Sequence, residues 1–136
     1  MTLLIDDAEL MFRQVHPKHI ENGLPTSQSF RPTEKDEGQL SVDREALTSA
    51  MASYNLFVTN GFLSSGVYGV TVGECRKENL PCLSDPLTAT EAHSANPAHA
   101  VINFNNHSTK HWKIKSKRLK QNAVARGQLH PPLSAM

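Results

Sequence analysis

The chain has 136 residues, enough for one domain with a core of its own. Hydrophobic residues make up 38% of it, and no apolar run approaches the roughly 20 residues of a spanning helix, which argues against a helical membrane protein. The net charge of +1 hides a split: residues 1–91 hold all 13 acids against seven of the 14 Lys/Arg, a net −6, while residues 92–136 hold no acid and a net +7.

In chain order, residues 11–16 alternate apolar and polar side chains, the pattern of a half-buried strand, and Pro17 ends it by removing a ladder donor. Residues 18–23 fit one helical turn. Residues 24–38 form a long polar connection with Ser27-Gln28-Ser29-Phe30 as its only strand candidate. Residues 39–42 predict a second strand. Asp43 then stands where an N-cap belongs, ahead of a helix in which Leu47, Met51, Tyr54 and Val58 share one face, expected to point at the core. Residues 66–72 are the clearest strand, β-branched, aromatic and uncharged. Residues 74–79 predict a short helix, residues 82–97 a loop, and residues 100–104 a buried strand. Asn106 or Ser108 can cap a last helix running to Arg126, with Gly127 as its stop. Its inner stripe is Trp112, Leu119 and Ala123, and its rims carry Lys113, Lys117, Arg118 and Lys120.

These elements predict a single α+β domain of about four to five mostly antiparallel strands with two main helices and long loops. Residues 1–10 read as an extension, residues 11–127 as the domain with its basic final helix, and residues 128–136 as a frayed tail.

Two cysteines make no disulfide framework, and residues 1–10 lack the basic flank and apolar centre of a secretory signal, so a reducing cytoplasm is the expected setting. Cys75, Cys82, His93 and His99 offer zinc-type donors, but six residues separate the cysteines, too many for the tight knuckle of a structural site. Neither a metal nor a cofactor is expected. Glycine-rich phosphate loops and a Gly-x-Ser-x-Gly elbow are both missing from the sequence.

The amino-terminal third concentrates Arg13, His16, His19, Ser27, Arg31, Lys35, Ser41 and Arg44. Such side chains can grip phosphate or move protons, or they can simply face solvent. His99 opens a strand, with Asp85-Pro86 upstream in the preceding loop. That is a recurrent acid–base arrangement, but the favoured reading is a buried histidine satisfied by a backbone carbonyl. The acid-free segment offers a polyanion several lysines and Trp112 as a stacking ring, or it folds back on the acidic body.

The string Phe12-Arg13-Gln14-Val15-His16-Pro17, Ser27-Gln28-Ser29-Phe30, Lys35-Asp36-Glu37-Gly38, Leu40-Ser41-Val42 and Asn96-Pro97-Ala98-His99-Ala100 resembles a family of small bacterial proteins with no assigned activity. A second resemblance is mechanistic. Arg13 on the first strand, Gly23-Leu24, Ser41 ending a middle strand and Glu74 after Val70-Thr71-Val72 are similar in order and type to ADP-ribosyltransferase-type domains. Gln14-Val15-His16-Pro17 stands where a Gly-Thr or Gly-Ser often follows the first motif of that family.

Two functional expectations follow. One is a binding or accessory protein that meets nucleic acid or an acidic protein through Lys113, Lys117, Arg118 and Lys120. The other is a small nucleotide- or RNA-directed enzyme with an ADP-ribosyltransferase-like site drawn from Arg13, His16, Ser41, Glu74 and His99. They separate on whether those last residues converge in a cleft.

Overall fold

A computed structural model describes residues 1–132. Its strands are Thr2–Leu3 (β1), Leu10–Gln14 (β2), Ile20–Glu21 (β3), Leu24–Pro25 (β4), Gln39–Arg44 (β5), Val67–Thr71 (β6), Cys82–Ser84 (β7) and His99–Asn103 (β8). The α-helices are Ala50–Thr59 (α1), Val72–Lys77 (α2) and Thr109–Arg126 (α3). A six-stranded sheet runs in the order β1-β7-β8-β5-β2-β6, every neighbouring pair antiparallel, and β3 and β4 form a separate hairpin. The α+β class and antiparallel pairing agree with the sequence reading, but there are more strands than it gave. The additional ones, β1, β3, β4 and β7, are two or three residues long, too short to display a period. The β3–β4 hairpin turns on Asn22-Gly23, both at positive φ, as a two-residue turn of matching twist requires.

Strand alternation gives the sheet two unlike faces. Met11, Val15, Leu40, Val42, Val70, Ala100 and Ile102 are buried on one face, where they join Phe30, Phe104, Leu119 and Ala123 in the main core beneath α3. Ser27–Phe30 is a 3-10 turn, not a strand; it drops Phe30 fully into this core. Ser116, Leu119 and Ala123 are the buried face of α3, which ends at Gly127. Trp112 is partly buried, edge-on to Phe104 at 6.0 Å, and its indole N–H donates to Phe104 O and His107 O at 2.9 Å each.

Asp43 is not an N-cap, and α1 begins further along the chain. β5 continues through Asp43 to Arg44, so Asp43 is a strand residue, and Ser49 caps α1 by accepting from Ala52 N at 3.1 Å. Leu47, Met51 and Val58 lie outward, 56%, 58% and 43% exposed. The helix instead buries Ser53, whose hydroxyl donates to Asp43 Oδ2 at 2.6 Å. Periodicity identifies a shared side of a helix; a polar anchor here decides which side meets the sheet.

Both ends of the described chain are tied to the sheet. Thr2–Leu3 pairs with β7 and Leu4 is buried. Val67 exchanges backbone bonds with Leu129 and His130, so residues 129–130 run along β6. Of the segment read as a frayed tail, residues 133–136 lie outside the described residues.

Candidate active site

The second face of the sheet carries Phe12 and Gln14 from β2, Ser41 and Asp43 from β5, and His99 from β8. The register places Asp43 opposite both Phe12 and His99. With α1 on one side and the residue 85–98 loop on the other, this face forms a cleft of about 350 Å³. Arg13, Ser41 and His99, three of the five residues nominated from the sequence, line it together.

At its floor a series of hydrogen bonds links Ser41, His99 and Asp85. Ser41 Oγ lies 3.1 Å from His99 Nε2. His99 Nδ1 lies 2.9 Å from Asp85 O and 3.3 Å from Asp85 Oδ2. Two acceptors beside Nδ1 place the ring proton there, which leaves Nε2 of the neutral ring to accept from the Ser41 hydroxyl. The His99 side chain is 12% exposed, whereas Ser41 is open to the cleft. A hydroxyl, an imidazole in the accepting tautomer and a carboxylate therefore stand in the order that activates a serine.

Arg13 enters where the β2–β5 ladder stops. Its Nε donates to Ser29 O at 2.7 Å and its Nη1 to Ser41 O at 2.9 Å, so the guanidinium binds carbonyls of two diverging segments. Burial lowers its pKa to about 10, which Asp36 partly offsets, and the charge persists at neutral pH.

Asp43 fastens the walls to the floor. It accepts from Ser53 on α1 and, at 2.8 Å, from Asn96 Nδ2 on the loop. Ser53 Oγ also receives Gln14 Nε2 at 3.0 Å, and Asn60 Oδ1 holds Ser94 N at 3.0 Å. Sequence reasoning did not nominate Asp43, Ser53 or Asn96. The signal that could have found Asp43, a spacing of two from Ser41, was masked because the expected strand ended at Val42 and Asp43 read as an N-cap.

The other nominated residues lie elsewhere. His16 caps the 3-10 turn Pro17–His19 by accepting from Lys18 N at 3.0 Å. His19 beside it has its pKa lowered by burial and by the neighbouring charges of Lys18 and Arg13. Glu74 closes a capping box on α2 with Thr71 and pairs with Arg126 at 3.0 Å. Burial opposes the Glu74 charge, but the Arg126 and Thr71 hydrogen bonds outweigh it and hold the carboxyl below its usual value. Neither His16 nor Glu74 lines the cleft. Of the zinc-type donors, Cys75 and Cys82 are buried together, where their mutual hydrogen bond and burial push the Cys75 thiol up. His93 and His99 line the cleft, and no three His, Cys, Asp or Glu gather as a metal site among the described residues.

On α3, part of the positive charge is met within the chain. Arg118 pairs with Glu78 at 2.8 Å, Arg126 with Glu74, and Lys115 bonds Glu78 O. Lys113 and Lys117 are exposed and Lys120 is partly covered.

Compared with protein-family models, curated proteins and solved structures, the chain matches none. The functional reading therefore rests on the cleft's own chemistry.

Proposed function

We propose that the cleft is the active site of a small hydrolase in which Ser41 is the nucleophile, His99 the general base and Asp85 the group that orients it. The observation that carries this reading is the unbroken series Ser41 Oγ–His99 Nε2 and His99 Nδ1–Asp85, with Ser41 and His99 lining the cavity. Ser41 Oγ bonds to the carbonyl carbon of an ester while its proton passes to His99 Nε2. The imidazolium is stabilised by Asp85 and returns that proton to the departing alcohol oxygen. Water then repeats the sequence on the acyl-serine, releasing the acid and restoring the Ser41 hydroxyl. Arg13, bonded to the Ser41 carbonyl, holds the β5 backbone that carries the nucleophile.

A fluorophosphonate probe tests this directly. Mass spectrometry should find one adduct on Ser41 in the wild type, none in Ser41→Ala, and labelling at least a hundred-fold slower in His99→Ala. Hydrolysis of p-nitrophenyl acetate should fall in parallel. A wild-type protein that neither takes the label nor cleaves the ester overturns the reading.

The polyanion reading rests on a different surface: exposed Lys113 and Lys117, on the helix that covers the opposite face of the sheet. Replacing Lys113, Lys117 and Lys120 by Gln should leave folding intact and make the salt dependence of single-stranded RNA binding shallower by up to about two log units per log unit of salt. No salt-sensitive binding by the wild type at low ionic strength removes it.

A further inference from the structure

Facing the Ser41–His99 floor, the cleft has an aromatic wall that the hydrolytic chemistry does not use. Phe62, just beyond the end of α1, stacks on Phe57 with ring centroids 4.9 Å apart and an interplanar angle of 27°. Phe62 also meets His93 of the loop at 5.1 Å and 33°. All three rings line the cavity, and Phe62 is 45% exposed. A row of rings presented to a cavity favours a flat ligand, which can stack offset or edge-on against it.

The electrostatics of the same cavity are as specific. Its ionisable lining groups are Arg13, Asp43, His93 and His99, so the fixed charges are one guanidinium and one carboxylate. Both are already engaged, Arg13 with the Ser29 and Ser41 carbonyls and Asp43 with Ser53 and Asn96. A charged ligand entering here loses its water and meets no uncommitted partner of opposite sign. The volume, near the lower end of the roughly 300–1,000 Å³ of small-molecule sites, suits one ring system with a short substituent and not a polymer.

From these three features we infer that the substrate is an uncharged ester with a flat aromatic group, the ring resting on the Phe57–Phe62–His93 wall and the ester carbonyl toward Ser41. This deepens the hydrolase reading and rests on it for the reaction, but the recognition it describes is measurable without turnover.

The experiment uses calorimetry on the full-length Ser41→Ala protein with three probes: 2-naphthyl acetate, cyclohexyl acetate, which lacks the aromatic ring, and 2-naphthyl phosphate, which keeps the ring and adds charge. 2-Naphthyl acetate should bind at least ten-fold tighter than either of the others. Adding Phe62→Ala, an exposed position whose loss leaves the core untouched, should weaken that binding about five- to ten-fold and leave cyclohexyl acetate unchanged. Equal or tighter binding of the phosphate, equal binding of the cyclohexyl ester, or no binding of 2-naphthyl acetate each overturns the inference. Selective binding of 2-naphthyl acetate by Ser41→Ala, together with no hydrolysis by the wild type, would instead sustain the recognition and sink the hydrolase. Hydrolysis of both esters by the wild type without preference would do the reverse.

Discussion

The two faces of the six-stranded sheet are made by the same strands and differ in almost everything else. Along β5, Leu40 and Val42 are buried under α3 while Ser41 and Asp43, one residue out of step, look into the cleft. The α3 face is closed mainly by aliphatic and aromatic side chains, with a few polar ties such as Trp112 to Phe104 O and Arg31 to Ser116. The α1 face is held by directed bonds, Asp43 to Ser53 and Asn96, Gln14 to Ser53, Asn60 to Ser94. Apolar burial scales with area and accounts for stability on the first face. Hydrogen-bond geometry fixes positions on the second, and a site needs that pre-organisation. This small domain is stabilised chiefly on one side of the sheet and keeps its polar cleft on the other.

The sharpest way to break that comparison is to damage the closed face. Phe104→Ala removes a fully buried ring that also supports Trp112, and should cost about 3–5 kcal/mol in urea unfolding. A cost below about 1 kcal/mol would mean that the α3 face is not the stabilising one. On the cleft face the corresponding change is Asp43→Ala, which leaves the buried Ser53 hydroxyl and Asn96 without their acceptor. It should cost about 1–3 kcal/mol, while Ser41→Ala, at an exposed hydroxyl, should stay within about 0.5 kcal/mol of wild type. A larger loss from Ser41→Ala than from Asp43→Ala would reverse the assignment of roles within the cleft.

A further effect, at the contact between α2 and α3, shows through its pH dependence. Glu74 has its pKa held below the ordinary carboxylate value in the folded chain, so its contribution is present above about pH 4.5 and is lost as the pH falls through the folded value. Glu74→Gln should therefore be less stable than wild type at pH 6–7, with the gap closing below about pH 4.5 in acid titrations followed by circular dichroism. A gap that stays constant to pH 3 would mean that the Arg126 and Thr71 contacts do not act through the charge.

How far the sequence could be read depended on the length over which each signal repeats. The α3 helix, with its Gly127 stop and the buried Leu119 and Ala123, was legible because eighteen residues show the helical period several times. β2, β5, β6 and β8 were legible from five or six residues of alternation or β-branched composition. β1 and β7 were not, since pairing with a neighbour, and not local preference, makes strands of two or three residues. The stripe Leu47, Met51, Tyr54 and Val58 was real as a shared side and misleading as a core, because the sheet offers α1 a carboxylate there and the helix turns Ser53 to it.

The candidate site divides in the same way. By itself the sequence determined the residue types: an arginine on the first strand, a serine on the middle strand, and a histidine at a strand entrance with an aspartate in the loop before it. That Ser41 and Asp43 share a face came only with the structure, because β5 runs on through Asp43, where the sequence reads an N-cap. Only the tertiary structure decided that β5 and β8 are neighbours in the register that sets His99 opposite Asp43 and brings its Nε2 to Ser41 Oγ. It likewise separated Glu74 and His16 from the cleft by engaging them in caps at α2 and at Pro17–His19. Strand order and register are long-range choices, made by which apolar faces can be buried together, and Ser41 and the histidine it meets are 58 positions apart in the chain.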